Sequence, residues 1–374
     1  MGIKNNCVFC KGDLDSIFSI KNMPTFMGAV TNFDNNFSKS NMTFTECTQC
    51  GCVQIKELIN PEILYQNNHN IETVGELWNL HYLEFSEFIK DGILNKTVLE
   101  LADPSCKIAK HISEYSNRWD IVEYNPNDNI QLPKVKFIKK WFDASFDSEK
   151  YDAIIHSHFF EHLFNPIEGL TKMNECLNEG GTMYFSVPNL EYILDNGFLP
   201  GNVLHFEHTF FYKKYDLINL LNLFGFNIDS VVDYKTHSIF FKCTKVSDEI
   251  EFNSIEYKFS SNDVSDKLFK SYNNSKSIVQ MFNENTSKNK FIFGCHISTQ
   301  SILSMGINTN DVVNFLDNSI DKQNKFLYGY DIVVQSPDII ANIDEPVVMI
   351  SHMSVYKSEI EKQLKKINKN VIII

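Results

Sequence analysis

Two groups of residues in this sequence have types and spacings suited to chemistry. Cys7-Val8-Phe9-Cys10 and Cys47-Thr48-Gln49-Cys50 are each Cys-x2-Cys pairs. Such a pair lets two thiolates grip one ion from a tight turn, and two pairs complete a tetrahedral sulfur shell for Zn2+. Four sulfur ligands leave no open position, so the expected role is structural. Metal binding then supplies part of the folding energy of the 11–46 segment between the pairs. Cys52 follows closely and is expected in a core. The remaining cysteines are scattered, and an odd total of nine with no apolar leader before Cys7 favours reduced thiols over disulfides. The second group lies in residues 201–212, Gly-Asn-Val-Leu-His-Phe-Glu-His-Thr-Phe-Phe-Tyr. His205, Glu207 and His208 form a polar island between apolar and aromatic residues. A neutral His serves as a general base near pH 7, and a neighbouring carboxylate can orient it and stabilise its protonated form. The plainer alternatives are that His208 packs against the next helix and that Glu207 is simply solvated.

The elements that must position these residues alternate between strand and helix. Thr97–Leu101 reads as a first buried strand and residues 108–115 as a helix. Residues 119–123, 137–138, 151–155 and 182–187 read as four further strands, with a helix over 169–177 before the last. This alternation predicts a parallel sheet whose ligand crevice lies at the carboxyl ends of its strands. Glu123 ends the second strand, about 20 residues past the first turn, where an acid can accept both ribose hydroxyls of an adenine nucleoside. Asp143, after the third strand, is placed to hold an adenine amino group. Glu100 and Ala102 of the first loop and His158 of the fourth complete the expected cofactor-binding set.

A chain of 374 residues with 43% apolar composition and 31 Phe is expected to form two or three domains with sizeable cores. A formal charge of −13 and the absence of a dense basic patch argue against nucleic acid as a partner. The apolar runs are too short to cross a bilayer, so no membrane partner and a cytoplasmic location are expected. The expected state is a monomer or weak homodimer. Residues 246–290 read as a linker with one or two helices, and strands at 290–293, 312–317, 346–350 and 370–374 predict a second α/β layer domain. The loop Gly294 to Thr299 leads into a helix amino terminus that could receive a phosphate oxygen.

The succession Val98-Leu99-Glu100-Leu101, Val122-Glu123-Tyr124-Asn125-Pro126, Tyr151 to Ile155 with Glu161-His162, and Leu177 to Thr182 resembles class I S-adenosylmethionine (SAM)-dependent methyltransferases. With the two Cys pairs in front and the α/β region behind, the whole chain resembles the three-domain sugar C-methyltransferases. The resemblance implies a zinc-binding domain over 1–70, a SAM-dependent methyltransferase domain over 71–245 and a Rossmann-like domain over 246–374. It also implies SAM and structural Zn2+ as cofactors and a nucleotide-linked keto sugar as acceptor. That family carries Tyr-His-Glu-His at the catalytic segment. By position, His208 would be the base, Glu207 its carboxylate neighbour, and His205 would stand where the family has tyrosine. The resemblance breaks at two places. The first loop, Glu100-Leu101-Ala102-Asp103-Pro104-Ser105-Cys106, lacks the family's glycines. Past Tyr65, the Tyr- and Ser-rich substrate stretch is replaced, with Asn68 or His69 near the family's active tyrosine. Two other readings therefore stand beside C-methylation: O- or N-methylation of a related glycan precursor, and a non-catalytic zinc and nucleotide-sugar binding protein with a degenerate cofactor loop.

Overall fold

The structure is a computed structural model describing residues 2–65, 76–195, 197, 199–235, 237–253, 256–259, 263–351 and 357–374. Its centre is a seven-stranded sheet built from β1 (Thr97–Leu101), β2 (Arg118–Val122), β3 (Val135–Ile138), β4 (Tyr151–Ser157), β5 (Leu177–Pro188), β6 (Phe226–Tyr234) and β7 (Ser238–Lys245). The strands lie in the order β6-β7-β5-β4-β1-β2-β3. Strands β1 to β5 pair in parallel, whereas β7 is antiparallel to both neighbours. A final antiparallel strand wedged between the fifth and sixth marks the class I SAM-methyltransferase core. The order reverses between β1 and β4, and a crevice is expected at that switch point.

Period-two alternation explains why both faces are covered. Leu99, Leu101, Ile154, Met183 and Phe241 face one way and join Leu170, Met173, Leu217 and Leu221 in a single core. Val98, Ala153, Ile155, Tyr184 and Phe240 face the other and meet Phe85, Ile89, Ile108 and Ile112. Strands buried on both faces read as the continuous apolar runs seen in the sequence. Helix Pro166–Glu175 starts where Pro166 follows an Asn165 cap, whose side chain accepts from Glu168 N. Asp152 ties the start of β4 to β1 by accepting Thr97 N at 2.9 Å and Thr97 Oγ1 at 3.0 Å.

Smaller domains flank this core. Near the amino terminus, Leu14–Pro24, Lys39–Cys47 and Val53–Ile55 form an antiparallel sheet. Its fourth strand, Phe210–Phe211, comes from the chain beyond β5. Near the carboxyl terminus, Val334–Gln335, Val312–Leu316, Lys290–Phe293, Val347–Ile350 and Ile372–Ile373 form an all-parallel sheet. The two flanking regions share a core, in which Phe18, Met42 and Phe44 pack with Leu204, Phe211, Leu268, Phe282 and Cys295. Residues 246–290 hold more structure than their composition suggests, because Asp263–Glu284 is one 22-residue helix. Among the described residues, no helix is long and apolar enough to cross a membrane.

Candidate active site and metal centre

Cys7, Cys10, Cys47 and Cys50 converge so that their sulfur atoms all lie within 4.8 Å of one another. Cys7 Sγ is 3.5 Å from Cys50 Sγ, and Cys10 Sγ is 3.3 Å from Cys47 Sγ. A tetrahedron with Zn–S bonds of about 2.3 Å has edges of about 3.8 Å, so the four sulfurs need only small movements to hold an ion. Backbone N–H groups of Phe9 and Gly12 donate to Cys7 Sγ and Cys10 Sγ at 3.4 Å each, and Gln49 N donates to Cys47 Sγ at 3.4 Å. Such donors favour thiolates, and the cluster is geometrically consistent with a structural zinc site. Cys52 is fully buried and lies outside it. Phe9, between the first two ligands, packs edge-on against Phe210 at 5.4 Å and Phe259 at 5.0 Å.

The loop after β1 keeps the path that glycines usually allow. Ala102 has φ of 58° and Cys106 has φ of 53°, both left-handed. Each costs about 1 kcal/mol for a residue with a Cβ. Asp103 stabilises the turn by accepting Ser105 N on Oδ1 and Ile108 N on Oδ2, both at 3.2 Å. Ala102 N donates to Val122 O at 2.9 Å, fixing the loop to the end of β2. The Glu100 carboxyl is buried, accepts Trp119 Nε1 at 2.7 Å, and is raised well above the usual carboxylate range by burial and by Asp103. Glu123 is half-buried at the end of β2 and accepts Asn125 N at 2.9 Å; burial raises its pKa. Next to it Tyr124 stacks on Trp141 at 4.4 Å and 12°. Asp143 is exposed and accepts Ser145 N at 2.8 Å within its own turn. The backbone of the loop and the half-buried Glu123 carboxylate fit an adenosyl ligand.

The second constellation gathers around the loop after β4. Tyr65, from the flanking region, forms a 2.9 Å hydrogen bond with His162 Nδ1. Glu207 Oε2 stands 3.6 Å from the same nitrogen. The His208 ring lies 5.0 Å from that of His162 and is stacked 5.2 Å from that of His205. Thr209 fixes this segment, its N donating to Glu161 O at 2.9 Å and its Oγ1 to Leu163 O at 2.6 Å. Ile55 N donates to Thr209 O at 3.1 Å, tying the segment to the amino-terminal sheet as well. Burial, followed by His162 and His205, holds His208 well below the usual histidine pKa, so its ring is neutral. Burial likewise keeps the Tyr65 phenol protonated, reinforced by Glu207, Glu123 and Glu161. Glu161 is buried, with neither carboxylate oxygen hydrogen-bonded among the described residues, and burial pushes it up to about 7.

The structure thus brings His205, Glu207 and His208 together and adds Tyr65, Glu161 and His162, which spacing alone does not connect to them. Glu161-His162 is visible only as part of the pattern following the fourth strand. His158 reaches this group through Glu161, its ring engaged by Ser238 at 2.8 Å on Nε2 and by Glu161 at 3.3 Å on Nδ1. Asn68 and His69 fall outside the described residues.

Residues 87–231 match the family profile described as Methyltransferase domain. Among solved structures, the N-methyltransferase NodS from Bradyrhizobium japonicum WM9 is 9% identical, with 48% of this chain and 99% of that chain covered and a TM-score of 0.33. A SAM-dependent methyltransferase from Mesorhizobium loti is 9% identical over 45% of this chain and 99% of its own, with a TM-score of 0.37. Another from Aquifex aeolicus is 12% identical over 46% and 100%, with a TM-score of 0.36. No curated protein matches the chain. The strand order and the family profile define a class I SAM-methyltransferase core, and its flanking domains include one that bears a four-cysteine cluster.

Proposed function

We propose that the protein transfers a methyl group from SAM to a nucleotide-activated keto sugar, at carbon, with His208 as the general base. One observation carries the reading: Tyr65, His162, Glu207 and His208 converge at the loop that follows β4. In this reading Glu123 binds ribose hydroxyls, Asp143 turns toward the adenine amino group, and the loop from Glu100 through Ala102 lies along the amino-acid part of the cofactor. His158 contributes through its backbone at the turn after β4. When bound, SAM supplies an electrophilic methyl group. An imidazole nitrogen of His208 takes the proton alpha to the acceptor carbonyl, which leaves an enolate carbon as nucleophile. Glu207 orients the histidines and balances the positive charge that proton uptake creates, while His205 and Tyr65 offer hydrogen bonds to the sugar. Holding the nucleophilic carbon in line with the methyl group supplies much of the rate.

The proposed organisation is a zinc-binding domain over 1–70, the methyltransferase domain over 71–245 and a Rossmann-like domain over 246–374, the last offering a surface for the nucleotide. Incubating the protein with isotopically methyl-labelled SAM and a panel of nucleotide sugars, then locating the label by NMR, tests the proposal. A new carbon–methyl bond beside the carbonyl supports it. Label on oxygen or nitrogen moves the activity to another acceptor atom, and no transfer to any sugar removes it.

A further inference from the structure

We propose that His81, His158 and His237 form a second metal site, for a divalent transition ion of the zinc class, distinct from the four-cysteine centre. The inference does not rest on the methyl-transfer reading. Three separate elements each bring one imidazole to the site. His81 sits on helix Glu76–Lys90, His158 directly follows β4, and His237 lies in the turn between β6 and β7. Pairing of Pro188 with Ser238 carries that turn to the carboxyl end of β5, beside the end of β4.

The rings form a nearly equilateral triangle. Their centroids are 5.3 Å apart for His81 and His158, 5.4 Å for His81 and His237, and 5.4 Å for His158 and His237. Imidazoles bound to one tetrahedral ion through bonds of about 2.0–2.1 Å place their centroids about 5 Å apart. One ligand nitrogen from each ring lies within 4.8 Å of the other two.

The surroundings match what a metal-bound histidine requires. A ligating imidazole usually presents its second nitrogen to a carboxylate or carbonyl. His158 Nδ1 lies 3.3 Å from Glu161 Oε1, and neither Glu161 oxygen has a hydrogen-bond donor among the described residues. On the other side, Ser238 Oγ stands 2.8 Å from His158 Nε2 and 2.6 Å from His237 Nδ1. That hydroxyl has one proton for two ring nitrogens. His81 Nε2 meets Ser157 Oγ at 3.1 Å and Ser186 Oγ at 3.3 Å, and its buried Nδ1 has no partner among the described residues. An ion bound by these imidazoles would release the serine hydroxyls to a supporting role. Three neutral nitrogen ligands suit Zn2+, Co2+ or Ni2+ and leave a fourth position for water or a substrate oxygen, unlike the closed sulfur shell.

Trp78 supplies a reporter, with its ring 5.3 Å from His81, 4.8 Å from His158 and 4.3 Å from His237. The test is to strip the full chain of metal, titrate it with Co2+, and count bound equivalents after desalting. Two equivalents are expected: one with intense thiolate-to-cobalt absorption, and one with only weak ligand-field bands that quenches tryptophan fluorescence. His237→Ala and, separately, His158→Gln should lose the second equivalent and its quenching while keeping the thiolate bands, whose retention reports an intact fold. A single equivalent in the unaltered protein, or two equivalents surviving in both folded variants, overturns the site and leaves the three histidines as a serine-bonded polar cluster.

Discussion

Tyr65 Oη and His162 Nδ1 form a 2.9 Å hydrogen bond across 97 positions of sequence. This bond brings a residue from outside the central sheet to the loop that follows β4. If the Tyr65 hydroxyl helps place the acceptor, Tyr65→Phe should lower kcat by about tenfold, the worth of roughly 1.4 kcal/mol, and leave SAM affinity unchanged. Steady-state kinetics alongside calorimetry would separate the two, and an unchanged kcat would remove Tyr65 from the site.

His208 carries the proposed proton transfer. His208→Asn is expected to lower turnover by about 10²–10⁴-fold, the usual worth of a general base, with cofactor binding intact. Single-turnover methyl transfer measures this directly, and a variant retaining more than about a tenth of the rate would assign the base elsewhere.

The same residue makes stability depend on pH. Its folded pKa lies well below that of the unfolded chain because burial and nearby imidazoles oppose its charge. The unfolded state therefore binds the extra proton first, and this contribution to stability, present above about pH 6.5, is lost as pH falls. The loss is about 1.4 kcal/mol per pH unit below that point. Urea melts at pH 7.5 and 5.5 should show wild type losing about 1.4 kcal/mol more than His208→Gln. Equal losses would mean that the ring can charge inside the fold.

Ala102 and Cys106 occupy dihedrals that favour glycine. Ala102→Gly removes about 1 kcal/mol of backbone strain but adds a similar entropy to the unfolded chain, so its melting temperature should hardly move. Ala102→Val cannot adopt the conformation cheaply and should melt several degrees lower. A Val variant as stable as wild type would show that the loop has another accessible path.

Zinc removal should reach beyond the cysteines. Phe9 packs on Phe210, two residues past His208, and Phe210 also pairs in the sheet containing Val53–Ile55. Cys47→Ser combined with Cys50→Ser, which leaves the three-histidine group intact, should therefore lower both the melting temperature and methyl transfer. Activity surviving complete loss of the Cys7 to Cys50 ion would separate that centre from the active site.

The central sheet was legible because β1, β2 and β4 are apolar runs with acids or turn residues at their ends. Both Cys-x2-Cys pairs were legible because their spacing encodes the chemistry. Helix Asp263–Glu284 was less so: Ser265, Ser271 and Ser275 occupy buried positions beside Val264, Leu268, Val279 and Phe282, which hides the apolar stripe. Glu161 and His162 were hidden for a different reason. Their roles depend on Tyr65 and His208, which only tertiary folding brings near. The absence of glycine at 102 and 106 does not itself reveal the loop's path, because the backbone keeps left-handed dihedrals at both positions with ordinary side chains.

Methyl transfer requires that the loop from Ala102 to Cys106 admit SAM. Titration calorimetry of the metal-replete chain with SAM, repeated with Glu123→Ala, is the decisive measurement. One site per chain is expected, with affinity weakened by about tenfold or more when the Glu123 carboxylate is lost. No binding by the wild-type chain, or equal affinity in the variant, would contradict that expectation.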